Sequence, residues 1–233
     1  MKDAVAVIAE FFFDVCGIFI PGLAFLSAIC WMGFIPLMML PDDIYGAIGV
    51  VLASYLVGHL FFAISQRLVA WMADRTGIEP RRTLLEKDKP LGKALSKRIK
   101  TKWCLSTDGS EKTDITTSEM LYELCRNYVH IRDNERSSFL RKEQTYGELS
   151  RSMVTVFLSC AILLWLSPKP REVQLLGTIA FVAGAAIFFL RYLTARHADA
   201  DLVYTNFIVL LQEEDERSQR AQRKSEDIVS KVA

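Results

Sequence analysis

The stretch Glu10-Phe-Phe-Phe-Asp14-Val-Cys-Gly17-Ile-Phe-Ile-Pro21-Gly22 decides how the rest of the chain is read. It is too apolar to remain in water, yet it carries two carboxylates one helical turn apart and a Pro-Gly break. The apolar run around it, residues 4–40, is longer than the roughly 20 residues that cross a hydrocarbon core of about 30 Å. The simplest division is an interfacial N-terminal helix over 1–15 followed by a first span over 16–38. One long tilted helix from 4 to 38 is the alternative. Proline removes a backbone donor and crowds the preceding turn, so a kink or a short unwound piece is expected near Pro21.

Charge is sorted into blocks along the chain. The formal net charge of +1 hides 18 Lys/Arg against 13 Asp/Glu in residues 67–151 and 7 against 8 in the tail 191–233. The apolar blocks between them carry almost none. A bilayer imposes this segregation, whereas a soluble domain intersperses the two kinds of residue. The expected fold class is therefore an all-α membrane protein with four transmembrane helices and a helical cytoplasmic domain. The spans fall into two hairpins, 16–66 and 152–190. The cytoplasmic part is the basic insert 67–151 together with the C-terminal helix and charged tail, 191–233.

Span two is expected from Ile44 to Gln66 and to continue as a helix through Leu68, Trp71 and Met72, stopping at Thr76-Gly77. Spans three and four read as 152–166 and 173–190. The third is short, so its helix should take in part of 146–152 or cross a thinned region of the bilayer. The first external loop holds Asp42 and Asp43 and no Lys or Arg, so the positive-inside rule places 67–151 and both termini in the cytoplasm. Lys169 and Arg171 depart mildly from that scheme. The opening Met-Lys-Asp, with Glu10 and Asp14 interrupting the apolar run, does not read as a cleaved signal peptide. Cys16, Cys30, Cys104, Cys125 and Cys160 match no zinc or redox spacing and read as reduced, structural thiols.

Within the charged part, Leu91, Leu95, Ile99 and Trp103 recur at four-residue steps among basic residues, the pattern of an amphipathic basic helix. Residues 117–132 should form a second helix with Met120, Leu121, Leu124, Tyr128 and Ile131 on its apolar face. Leu193, Leu202, Val203, Phe207, Leu210 and Leu211 mark a helix running out of span four.

Several residues are candidates for function. Glu10 and Asp14 share a helix face. They belong either at the headgroup level, anchored by the phenylalanines, or in acidic rings at a pore mouth that favour cations. His59 is an ionisable group within a span, expected either to hydrogen-bond a neighbouring helix near the Pro21-Gly22 break or to serve a gate. Ser54-xxx-Gly58 and Ala180-xxx-Gly184 are small-xxx-small pairs suited to helix packing. Four spans with little polar lining do not enclose an aqueous path in one copy, so conduction requires a homo-oligomer. Arg81, Arg82, Lys93, Lys97, Arg98, Lys100, Lys102 and Trp103 form a basic surface. It would meet anionic membrane lipids, a regulatory protein or a nucleic acid. No motif for catalysis, metal or cofactor binding is present, and no enzyme is expected.

Ile20-Pro21-Gly22 in the first span, paired with Tyr55-x-x-Gly58-His59 in the second, looks like small bacterial inner-membrane proteins. The whole layout, four spans with a basic cytoplasmic insert, is similar to membrane effectors of anti-phage defence operons. Such effectors are held silent by a partner or nucleotide signal and then permeabilise the inner membrane. The resemblance implies an inner-membrane location, a gated pore and a cytoplasmic nucleotide or nucleic-acid ligand. A non-conducting anchor that recruits a soluble partner is the other expectation.

Overall fold

The computed structural model describes residues 11, 14–35, 44–76, 115–132 and 134–232. All but a few residues in the connecting turns and bends are helical. A π-helical turn, Val15–Phe19, leads into α1, Ile20–Met32; then come α2, Ile44–Thr76, α3, Ile115–Arg132, α4, Asn134–Leu164, and α5, Arg171–Val232. Four of these segments are long and apolar enough to cross a membrane: Val15–Met32, Ile44–Ala73, Glu143–Leu164 and part of α5. Glu10, the Pro-Asp-Asp turn and the whole basic surface from Arg81 to Trp103 lie outside the described residues.

The first helix breaks where the sequence requires it. Pro21 has no N–H to offer the carbonyl four residues back. The turn before it widens, and the Ile20 N–H reaches five residues back to the Val15 carbonyl. The helix then ends at Met32, six residues before the expected boundary at 38. Gly33 adopts φ 89°, its N–H donates to the Cys30 carbonyl at 3.0 Å, and the Phe34 N–H donates to the Ile29 carbonyl at 3.1 Å. That pair of bonds closes the helix end, and the left-handed conformation it needs is one only glycine adopts without strain.

α2 runs without interruption to Thr76, as its pattern predicts. α4 begins well before the apolar run, so the short third span is the end of a 31-residue helix. α4 is also the most enclosed of the four, with more than half of its apolar window buried. A span surrounded by other helices needs less apolar surface than one facing lipid, which explains its weaker hydropathy. α5 is one helix of 62 residues from Arg171. The turn before it is held by the Ser167 hydroxyl donating to the Leu164 carbonyl at 2.7 Å and the Gln174 amide donating to the Ser167 carbonyl at 3.0 Å.

The chain divides into two compact units, residues 1–79 with 141–196 and residues 80–140 with 197–233. In the first, Met32, Phe61, Val156, Cys160 and Leu164 form one buried cluster, and Val69, Ala73, Val154, Tyr192 and Leu193 form another. α1, α2, α4 and α5 therefore share one core. Their outer faces carry Ile48, Leu52, Leu56, Leu60, Ile162, Leu176, Ile179 and Ile187, all exposed. Such a surface suits a hydrocarbon solvent rather than water. Trp31 and Trp165 lie near one end, where the Lys169 ammonium stands 5.5 Å from the Trp31 ring. Near the other end Arg75 stands over Trp71 at 5.1 Å and Arg191 over Tyr146 at 6.0 Å.

The second unit packs α3 against the distal part of α5. Tyr122, Cys125, Val129, Leu140, Ala200, Val203, Tyr204, Phe207, Leu210 and Leu211 are its buried core. The Tyr122 and Tyr204 rings meet edge to face at 6.1 Å, and the Tyr122 hydroxyl donates to the Asp199 carboxylate. The tail periodicity is thus as expected, and on α3 Leu121 and Tyr128 pack against this core as expected, though the centre of the buried face is shifted from them. Met120 and Ile131 are exposed, and Tyr122, Cys125 and Val129 point inward. α3 has apolar residues at two phases, and the aromatic partners on α5 select the one carrying Tyr122.

Burial pushes the Cys125 thiol from 9.0 up to about 12. Two outcomes follow. A maleimide at neutral pH should label Cys125 at a rate set by unfolding, because the reactive thiolate is absent. Above pH 9 the unfolded chain loses this proton while the folded chain keeps it, so stability should decline from pH 9 toward 12, by about 1.4 kcal/mol per pH unit for this group. A Cys125→Ser variant lacking that slope in a pH series of melting curves checks the assignment.

Candidate functional site

The break in the first helix is also where the first two helices come closest. A Cβ on Gly22 would collide with the Ser54 carbonyl oxygen and stand 2.7 Å from the Gly58 amide nitrogen. A Cβ on Gly58 would collide with the Ile18 carbonyl oxygen and stand 2.7 Å from its carbon. Gly22 and Gly58 therefore form a reciprocal backbone-to-backbone crossing, with Ser54 buried beside them and its hydroxyl turned back to the Val50 carbonyl at 2.7 Å. The Pro-Gly of one helix and the Ser-xxx-Gly of the next are two halves of one contact. Gly49, which also lies on α2, has open space where its Cβ would be.

His59 is not in that crossing. It is exposed, about 100° round α2 from Gly58, and its ring meets Tyr55 edge to face with centroids 4.5 Å apart. The expected packing of His59 near the Pro21-Gly22 break is thus replaced: Gly58 makes that contact, and a helix cannot point adjacent residues into the same groove. His59 falls at the middle of the apolar segment Ile44–Ala73. Asp14 is likewise exposed, at the start of the π-helical turn.

The second small-residue pair divides. Gly184 lies against the Phe157 ring, 3.1 Å from where its Cβ would be, but Ala180 is exposed. Gly177 takes up the other contact, against the Leu164 side chain. α5 thus packs on α4 through glycines seven residues apart, not four.

One arrangement was missed by sequence reasoning. Glu148, Arg151, Ser152 and Thr155 follow one another at i, i+3, i+4 and i+7 on α4, which puts all four on one face. That face is turned inward. Ser152 and Thr155 are fully buried, and only 12% of the Arg151 side chain is accessible. Arg151 pairs with the Glu148 carboxylate and lies 5.1 Å from the Phe62 ring of α2. Arg196 of α5 acts electrostatically on both Glu148 and Arg151 and donates to the Tyr192 hydroxyl at 3.2 Å. The charges adjoin the basic insert and read as its last loop residues. Their spacing, continued into two hydroxyl residues, was the available signal.

Cys16, Cys30, Cys125 and Cys160 are free thiols. No metal-holding group of His, Cys, Asp and Glu occurs among the described residues. No family model, curated protein or solved structure matches this chain. What the geometry defines is an all-helical protein whose four apolar helices are compatible with a multi-pass membrane protein.

Proposed function

We propose that the chain is a homo-oligomeric membrane pore, with the unit formed by 80–140 and 197–233 on the cytoplasmic side governing its opening. The observation that carries this reading is His59 with Tyr55, outward-facing at the centre of the apolar segment Ile44–Ala73. An ionisable side chain at that depth is unfavourable against lipid and is ordinarily turned to protein or to a water-filled path. The bundle's own core, closed by Phe61, Val156 and Leu164, offers neither. Copies arranged with this face inward would give His59 a polar surrounding and bring Asp14 to the same lumen. The aromatic residues near each end of the bundle support two headgroup levels, and the arginines beside Trp71 and Tyr146 support that end as cytoplasmic. α4 and α5 each run unbroken through both units, which supports transmission of a cytoplasmic event to the spans.

Expression in cells carrying a voltage-sensitive dye tests the proposal. The wild type should depolarise the membrane when triggered or overproduced. His59→Leu should abolish or sharply reduce that depolarisation, and Glu10→Gln with Asp14→Asn should lower cation preference. Absence of depolarisation under any trigger would return the chain to a non-conducting anchor that recruits a soluble partner. A membrane-permeabilising defence effector is one form of the pore reading, supported by the layout of the chain alone.

A further inference from the structure

We infer that the face of α2 carrying Leu56, Leu60, Ile64, Arg67, Trp71 and Arg75 binds an anionic phospholipid of the leaflet around it. The two guanidinium groups would hold the phosphate, and the acyl chains would lie along the apolar stripe. The register comes first. These residues follow one another at steps of three or four and occupy an arc of about 100° on the helix. All of them are exposed, whereas Ser54, Gly58, Phe61, Ser65 and Val69, which face the bundle, lie on the other side. The stripe changes from apolar to cationic at one point. At about 1.5 Å per residue, Arg67 stands about 35 Å along the helix from Ile44, just past a hydrocarbon core of about 30 Å. Arg67, Trp71 and Arg75 therefore fall in the headgroup layer, and Leu56, Leu60 and Ile64 fall against acyl chains.

The charge on this face is the second observation. Among the described residues, neither Arg67 nor Arg75 has a carboxylate within ion-pair reach, in contrast to Arg126 with Glu123, Arg132 with Glu214 and Arg151 with Glu148. Asp74 shares the arc by position and leaves it one positive charge in excess. Helix side chains tilt toward the N-terminus, here toward the hydrocarbon. Accordingly the Arg75 guanidinium reaches back over the Trp71 ring at 5.1 Å. Arginines without an acid of their own, set around an indole at headgroup depth, are complementary to a phosphodiester. Free phosphate would match the arginines but not the apolar stripe continuing from them; a diacyl lipid matches both. His59 and Tyr55 lie at least about 100° round the helix from Leu60, so lipid here leaves the proposed lumen face untouched. The inference rests on the chain crossing a bilayer and not on its conducting.

The test uses the full chain with Trp31→Phe, Trp103→Phe and Trp165→Phe, which leaves Trp71 as the one tryptophan, reconstituted in phosphatidylcholine vesicles. Phosphatidylglycerol with acyl chains brominated near the glycerol is the quenching probe, and phosphatidylcholine brominated at the same carbons is the reference. At equal mole fraction the phosphatidylglycerol should quench Trp71 more strongly. The relative association constant read from the quenching curves should fall about fivefold for Arg67→Gln and likewise for Arg75→Gln, the worth of one basic side chain at an anionic surface. Arg220→Gln should leave it unchanged, and inorganic phosphate in the buffer should not compete. Equal quenching by the two lipids overturns the inference, and so does competition by inorganic phosphate. Trp71 quenched by neither lipid places protein on this face and overturns it too. If an arginine variant does not fold, the comparison of the two lipids with both arginines in place decides the matter. If the phenylalanine background does not fold, the difference in quenching between the native chain and its Trp71→Phe variant supplies the same constant. None of these readings depends on conduction, so the lipid site and the pore stand or fall separately.

Discussion

Gly22→Ala should destabilise the folded chain by about 3 kcal/mol or prevent its assembly, although it adds a single methyl group to an apolar helix. The methyl would have to occupy the space of the Ser54 carbonyl oxygen, and the neighbouring atom is Gly58 backbone rather than a side-chain tip. Neither can swing aside without separating the helices. Gly58→Ala should behave alike, because its Cβ would meet the Ile18 carbonyl. Gly49→Ala provides the contrast. It is the same substitution in the same helix with nothing near the new methyl, and alanine's higher helix propensity should make it neutral or slightly stabilising. Thermal unfolding in one detergent, read for all three variants, checks the ranking. Equal effects at Gly22 and Gly49 would mean that α1 and α2 do not cross at these glycines.

The second large effect lies on α4. Glu148→Gln should cost about 3 kcal/mol, because it leaves the largely buried Arg151 without its carboxylate. Removing both partners of the pair, Glu148→Gln with Arg151→Met, should be milder than removing the acid alone. Methionine has the length to fill the space over Phe62, and the double change no longer buries an unpaired charge. A double-mutant cycle on melting curves measures the coupling. Additive losses would show that the two groups do not form a pair. The surface pair Arg220–Glu216, at 3.4 Å and mostly solvated, is the contrast and should have little effect when broken.

These two sites differ in how far they could be read before the structure. Ser54-xxx-Gly58 and the break at Pro21-Gly22 were both legible, since small residues and a missing N–H have direct backbone consequences. That they meet each other was not, because sequence says which faces can approach but not which partner they approach. The helix end at Gly33 was hidden by the apolar residues after it, Phe34 to Leu40, which extend the hydropathy signal beyond the helix itself. Ala180 failed as a packing residue for a related reason: α5 offers small residues at several phases, and Phe157 and Leu164 of α4 select Gly184 and Gly177. The Glu148–Thr155 face was obscured by position. Its charges close a basic segment and its hydroxyls open an apolar one, so neither half looked unusual. Only a helix continuing through the boundary, Asn134–Leu164, aligns them.

The proposed topology has four crossings, with the turns after α1 and after α4 on one side and the end of α2 on the other. Single cysteines at Phe34, Lys169 and Thr76, each in a chain stripped of its five native cysteines, can be labelled in intact cells with a membrane-impermeant maleimide. Phe34→Cys and Lys169→Cys should label in intact cells, and Thr76→Cys only after the membrane is opened. Labelling of Thr76→Cys in intact cells together with the other two would contradict a chain that crosses between them.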